Sequence, residues 1–178
     1  RLMSVKELTF QPNNRKEMEE LKLAVSLLRQ LEHKHIVQYL GAQMNIEESS
    51  RSGCIMYIVT EFMSGGSVLS LIKQYGEFTE QVARQYTHQI LLGLEYLHSK
   101  NIIHRDIKPA NVLVDEHGVV KLADFGASKQ MKGSVTNELE NQTLKGTPYF
   151  MAPEVLTQSG HGRRADIWSV GATALQMV

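Results

Sequence analysis

The residues in this sequence that could do chemistry together are two aspartates, one asparagine and two lysines, set in short strings. The strings are Met3-Ser4-Val5-Lys6, His104-Arg105-Asp106-Ile107-Lys108-Pro109-Ala110-Asn111, Asp124-Phe125-Gly126 and Ala152-Pro153-Glu154. A carboxylate within reach of a hydroxyl can accept its proton. Carboxylate and amide oxygens are the ligands that a hard divalent cation takes. A lysine ammonium pairs with phosphate oxygens as a point charge. A lone Asp-Phe-Gly carries little weight, since average residue usage puts a given tripeptide at roughly one in several thousand positions. His-Arg-Asp followed five residues after its Asp by Asn is far rarer, and the four strings in this order leave coincidence negligible.

The set resembles the signature of protein kinases: a strand lysine, a catalytic loop, a metal-binding loop and the end of the activation segment. The resemblance implies ATP and magnesium as cofactors, and phosphoryl transfer, in which a protein mainly positions groups and neutralises charge. It implies that Asp106 accepts the proton of the substrate hydroxyl and that Lys108 reaches the transferring phosphate. Asn111 and Asp124 would hold magnesium, and Lys6 the α- and β-phosphates. Gly126 would let the backbone turn so that Asp124 faces the metal. At the adenine end, Glu61-Phe62-Met63 would be the hinge whose backbone bonds the adenine edge. Thr60 stands just before it, where a small side chain leaves the pocket behind open. Leu113 would press on one adenine face, and Ser4, where the family usually has Ala, would touch the other. His104 and Trp168 take packing roles by the same resemblance, and Asp166 bonds the catalytic-loop backbone. His33 and His35 have no cysteine or carboxylate at ligand spacing, so a turn is expected there. Glu47 and Glu48 read as a solvated loop face.

Two features favour serine or threonine over tyrosine as acceptor. Lys108 stands two residues after Asp106, and Gly146-Thr147-Pro148-Tyr149 places Thr147 where it can bridge Asp106 and Lys108. Longer strings narrow the resemblance. His35-Ile36-Val37-Gln38-Tyr39-Leu40-Gly41, Glu61-Phe62-Met63-Ser64-Gly65-Gly66-Ser67 and Gly146-Thr147-Pro148-Tyr149-Phe150-Met151-Ala152-Pro153-Glu154 are similar to mitogen-activated protein kinase kinase kinases, and the likeness covers essentially the whole chain. That implies a downstream kinase as protein substrate and allows an upstream activator. Arg105, beside the catalytic Asp106, would welcome a phosphate from the activation segment. Thr143 is the expected phosphosite, with Ser134 and Thr136 as further candidates.

The chain departs from the family pattern at three places. The Gly-rich phosphate loop would precede Lys6, and the last large-lobe helices, with the usual arginine partner of Glu154, would follow Val178. The expectation is therefore an α+β, two-lobed protein-kinase fold truncated at both ends. Residues 1–62 would be the small lobe, and residues 63–178 the hinge and first part of the large lobe. The third departure is internal. Active kinases pair the strand lysine with a glutamate of the next helix. Counting back from Leu27-Leu28-Arg29-Gln30-Leu31, that position falls on Ala24, with Glu20 one turn earlier on the same helical face. Phe150 is a smaller departure, replacing the family's Trp. An alternative to the active enzyme stays open: a catalytically weak kinase-like scaffold or allosteric partner, or a domain that binds nucleotide without transfer.

These groups need a framework to position them. The chain has 178 residues, of which 42% are hydrophobic, enough for one core or two small lobes around a cleft. Lys plus Arg and Asp plus Glu both number 19, so neither nucleic acid nor a membrane is implied as partner. The single cysteine, Cys54, points to a reducing, cytoplasmic setting. No apolar run approaches the roughly 20 residues that span a bilayer. Strands are expected over 1–10, 36–43 and 55–62, with a turn at 11–14 and an exposed loop over 45–53. From Arg15 to Leu31, Met18, Leu21, Val25 and Leu28 recur at helical steps. Ser64-Gly65-Gly66-Ser67 reads as a break. A helix capped by Thr79 follows, lined by Val82, Tyr86, Ile90, Leu94 and Leu97. Loop and short strand fill 101–114 and 119–123. The stretch 126–147 is polar, and 166–178 reads as a buried helix.

Overall fold

The computed structural model describes residues 2–10, 15–46, 54–125, 129–130, 148–157 and 162–178. The apolar start forms β1 (Met3–Phe10), and the helical period that follows forms α1 (Arg15–Leu28). With β2 (Tyr39–Ile46) and β3 (Cys54–Glu61), β1 makes an antiparallel sheet in the order β1-β3-β2. Ser4 lies opposite Thr60, and Lys6 opposite Ile58. Because side chains alternate across a strand, Ser4 and Lys6 share the face on which Leu8 packs against the core. Met56 and Ile58 of β3 join Leu27, Leu28 and Leu31 in that core.

The rest of the chain is helix-rich. β4 (Gly66–Ser67) leads into α2 (Val68–Tyr75), followed by α3 (Glu80–Ser99) and β5 (Ile102–Ile103). β6 (Val112–Val114) and β7 (Val120–Leu122) complete a small sheet in the order β4-β6-β7, and β5 pairs with β8 (Lys129–Gln130). α4 (Pro153–Leu156) and α5 (Arg163–Met177) close the sequence. Thr79 caps α3 by accepting from the Val82 N–H, and α3 buries Ala83, Ile90, Gly93, Leu94 and Leu97 along one stripe. Gly93 is required there: a Cβ would stand 2.6 Å from the His35 carbonyl oxygen. The close approach sets the 35–37 segment against β7. There Val37 N–H donates to Leu122 O and Leu122 N–H to His35 O, both at 3.0 Å. Main-chain bonds thus tie the strand-rich part to the helix-rich part.

The structure redraws several boundaries. The strand expected over 36–43 begins at Tyr39, because Ile36 is spent on a lone parallel bridge to Leu122. The helix expected to reach Leu31 ends at Leu28, where Gln30 and Leu31 N–H turn back to Leu27 and Leu28 carbonyls. The break at Ser64-Gly65-Gly66-Ser67 is a turn running into β4, and its last residue, Ser67, caps α2 through a reciprocal capping box with Ser70. Trp168 corrects the expected packing role. It is 51% exposed, because α5 buries Asp166, Ser169, Val170, Thr173 and Met177, and Trp168 lies on the far side of that helix. The expected turn at 11–14 and the Glu47–Glu48 loop face lie outside the described residues.

Candidate active site

The loop between β5 and β6 carries Asp106, and Asp166 of α5 holds it. The Asp166 side chain is fully buried. Its Oδ2 accepts from His104 N–H at 2.9 Å and its Oδ1 from Arg105 N–H at 2.8 Å. His98 Nε2 at the end of α3 is a third contact, 2.8 Å from Oδ2. These bonds hold Arg105 at φ 71°, a left-handed conformation that non-glycine residues seldom adopt. Burial lowers the Arg105 pKa, against the opposing pull of Asp166. Among the described residues its buried Nε has no hydrogen-bond partner.

His104 is fully buried and tilted against Phe125, ring centroids 5.2 Å apart. Its Nε2 lies 3.1 Å from Ala123 O, so it must donate, and Nδ1 accepts from Asp106 N–H at 3.3 Å. Those partners select the neutral imidazole, and burial pushes its pKa below the ordinary histidine value in the same sense. The expected packing role of His104 thus includes two bonds that join Asp106 to the strand leading to Asp124.

The Asp106 carboxylate is gathered by its own loop. Asn111 Nδ2 donates to Asp106 O and to Oδ2, each at 2.8 Å, and Lys108 Nζ stands 2.9 Å from Oδ2. A short 3₁₀ turn over Pro109–Asn111 brings Asn111 back over Asp106. With Nδ2 committed to Asp106, the amide presents its oxygen as the end that a cation could use.

Asp124 is fixed from the same loop. Ala123 N–H donates to Asn111 O at 2.9 Å, while Ala123 O receives His104 Nε2. Asp124 follows at φ 62°, another left-handed residue, and its Oδ1 meets Lys6 Nζ of β1 at 2.7 Å. Lys6 and Asp124 side chains are 50% and 40% exposed, so solvent weakens that pair and incoming groups can replace it. Ala24, on α1, brings no carboxylate to Lys6. Among the described residues the carboxylate that Lys6 meets is Asp124, and the Glu20 side chain lies outside them.

At the other end of the cleft, Ser4 and Thr60 face one another across β1 and β3, and Met63 is buried just beyond β3. Leu113 lies on β6, opposite Lys121 of β7. The Glu61 carboxylate has a role that its place in the sequence did not announce. Both of its oxygens receive Lys121 Nζ, at 2.7 and 2.8 Å, and Oε1 also accepts Gln38 N–H at 2.7 Å.

Comparison with known proteins fits this geometry. The protein kinase domain family matches residues 1–178. The chain belongs to the protein kinase family. A mitogen-activated protein kinase kinase kinase 2 of Arabidopsis thaliana is 52% identical over 161 residues, covering 90% of this kinase domain and 24% of the relative. Mouse mitogen-activated protein kinase kinase kinase 3 is 44% identical over 181 residues, covering 100% of the chain and 28% of the relative. A Dictyostelium discoideum mitogen-activated protein kinase kinase kinase A is 46% identical over 153 residues, 86% of the chain and 15% of the relative. The kinase domain therefore spans about a quarter of the length of the first of these relatives. The α+β, two-lobed architecture is that of the family.

The structure of this kinase domain brings Asp106, Lys108 and Asn111 into one cluster and Lys6 and Asp124 into another, joined through Ala123. Thr147 and Gly126, with Thr143, Ser134 and Thr136, lie outside the described residues. Sequence reasoning missed Lys121 and His98. Neither stands in a string singled out for chemistry, and the signal, an opposite charge, is brought near only by the fold. His33 and His35 lie at a turn, as expected. His33 stacks on Tyr96 at 4.7 Å, and His35 Nδ1 lies 2.8 Å from Val120 O. A groove of about 700 Å³ between α3 and α5, lined by His88, Leu91, Leu92, Glu95, Arg163 and Ile167, shares no residue with either cluster.

Proposed function

We propose that this kinase domain transfers the γ-phosphoryl group of ATP to serine or threonine hydroxyls of a protein substrate, a downstream kinase of a mitogen-activated protein kinase cascade. The observation that carries the reading is the Asp106 carboxylate held by both Asn111 and Lys108. In this reading Asp106 orients the substrate hydroxyl and takes its proton as the oxygen attacks the γ-phosphorus. The bond to the β-phosphate oxygen breaks and ADP leaves. Lys108 turns to the transferring phosphoryl group and offsets its charge, and Thr147 steadies Lys108 against Asp106. Lys6 exchanges Asp124 for the α- and β-phosphates, and Asp124 and the Asn111 oxygen are the groups that would hold magnesium. Bound magnesium would neutralise charge developing on the phosphate oxygens. Among the described residues no group of three or more His, Cys, Asp or Glu could hold a metal alone. A cation bound by a carboxylate, an amide oxygen, phosphates and water suits magnesium, which keeps much of its shell outside the protein.

The hinge backbone at Glu61-Phe62-Met63, Thr60, Ser4 and Leu113 would enclose the adenine. Residues 1–62 act as the small lobe and 63–178 as the hinge and large lobe. A cytoplasmic location accords with a kinase substrate, and no described helix is long and apolar enough to cross a membrane. The test is incubation of the full natural chain with magnesium-ATP and an inactivated downstream kinase, followed by mapping of the phosphate. Phosphoserine or phosphothreonine in that kinase's activation segment supports the reading. Phosphotyrosine, or no transfer to any protein, contradicts it.

A further inference from the structure

A second ion pair, shielded from solvent, links the two sheets. Glu61 is the last residue of β3, in the sheet that carries Lys6 on its neighbouring strand β1. Lys121 is the middle residue of β7, in the other sheet, three residues before Asp124. Lys121 Nζ reaches both Glu61 oxygens, at 2.7 and 2.8 Å. The two side chains are only 16% and 17% exposed, against 50% and 40% for Lys6 and Asp124. Shielding of this degree strengthens the attraction, and it makes either charge costly once its partner is gone.

The surroundings give the pair leverage. Gln38 is gripped twice by Glu61: its N–H donates to Oε1 at 2.7 Å, and its carbonyl accepts Glu61 N–H at 3.0 Å. The adjacent residues Ile36 and Val37 are those that bridge and bond to Leu122, next to Lys121. The contacts close a ring. β1 pairs with β3, β3 ends at Glu61, Glu61 holds Lys121, β7 leads to Asp124, and Asp124 meets Lys6 on β1.

We propose that Glu61 and Lys121 are positioning residues that fix the spacing between Lys6 and Asp124, and so set affinity for the magnesium-bound triphosphate. The exposed pair opens when the nucleotide arrives, and the shielded pair keeps the two sheets in place while it does. The proposal rests on the phosphoryl-transfer reading for its ligand, and its effect is read in nucleotide affinity as well as in turnover.

The experiment uses the full natural chain with Lys121→Met, Lys121→Arg, Glu61→Gln and the double variant Glu61→Gln/Lys121→Met. Direct magnesium-ATP binding, magnesium titration, the KM for ATP and the KM for the protein substrate are measured for each, with melting temperature as the folding check. Lys121→Met should weaken nucleotide binding and raise the half-saturating magnesium concentration about tenfold, the scale for groups that orient a ligand shell. The KM for the protein substrate should stay unchanged. Lys121→Arg, which keeps the charge and can grip both oxygens, should stay within about twofold of the wild type. The double variant should lose no more than the worse single one, because the pair acts as a unit. A folded Lys121→Met with unchanged nucleotide and magnesium affinity would overturn the proposal. So would equal losses in both KM values, or additive losses in the double variant. Should Lys121→Met fail to fold, Glu61→Gln decides by the same readouts, since its amide oxygen still accepts from Gln38. A wild-type chain that binds magnesium-ATP without transfer counts against the transfer reading alone, and the affinities still judge the ion pair.

Discussion

The two sides of the cleft are held in opposite ways. The catalytic-loop side is bound inward: buried Asp166 accepts two backbone N–H groups and contacts His98, and fully buried His104 bridges Asp106 to Ala123. The Lys6 side is more open: the Lys6–Asp124 ion pair has side chains 50% and 40% exposed, and α1 carries Ala24. The difference separates two tasks. On the proposed reading, Asp106 as proton acceptor must be in place before substrate arrives, because its geometry decides the reaction. The Lys6 ammonium, on the same reading, can be placed by the triphosphate itself, which would replace Asp124 as its partner.

The strongest way to break this comparison is to loosen the inward side. Asp166→Ala leaves the buried His104 and Arg105 N–H groups unpaired, which should destabilise the domain by about 3 kcal/mol. Turnover should fall with it, read by denaturant melts and kinase assays on the full chain. Asp166→Asn, which keeps one acceptor oxygen, should fall between. A stability loss below about 1 kcal/mol would mean that the loop is held by something else.

The open side should respond in the reverse sense. Lys6→Met should cost about a hundredfold in kcat/KM, as expected for a lost charge contact to the transferring nucleotide. It should change stability by less than about 1 kcal/mol, as for other exposed pairs. A large melting shift in Lys6→Met would erase the distinction between the two sides.

Acid sharpens the comparison, because the inward side contains His104, whose pKa burial lowers. The His104 pKa is lowered in the folded state from its ordinary 6.5. The unfolded chain therefore binds the proton first as pH falls. This contribution to stability is complete above pH 6.5 and is lost as pH drops below it, at up to about 1.4 kcal/mol per pH unit. Melting curves between pH 7 and pH 5.5 should show a loss that His104→Phe diminishes. An identical slope in the variant would remove His104 from the account.

The smallest expected effect is a gain. Ala24→Glu supplies α1 with the carboxylate that active kinases pair with the strand lysine, and turnover should rise by roughly threefold, about 0.7 kcal/mol. Unchanged or reduced turnover would mean that Lys6 does not need a carboxylate at position 24.

Much of this arrangement was legible because its chemistry is local in sequence. Asp106, Lys108 and Asn111 lie within one loop, so their spacing nearly dictates the cluster, and Thr79 announced α3 by a cap that the structure contains. What stayed hidden depends on partners far apart in the chain. Lys121 meets Glu61 across 60 residues, and His98 meets Asp166 across 68, so neither charge could be assigned without the fold. Trp168 misled because an aromatic in an apolar helix reads as core. Which side of α5 is buried is decided by Asp166 and Thr173, polar residues that hydropathy assigns to the surface. α2 was hidden by its two preceding glycines, although Ser67 and Ser70 carried the capping signal.

The most direct test of the account is transfer of labelled phosphate from magnesium-ATP to a serine/threonine protein substrate by the full natural chain, with Asp106→Asn beside it. The account predicts transfer by the wild type that falls by about a thousandfold in the variant, with magnesium-ATP binding retained. Equal transfer by both, or none by a wild-type chain that binds magnesium-ATP, would contradict it.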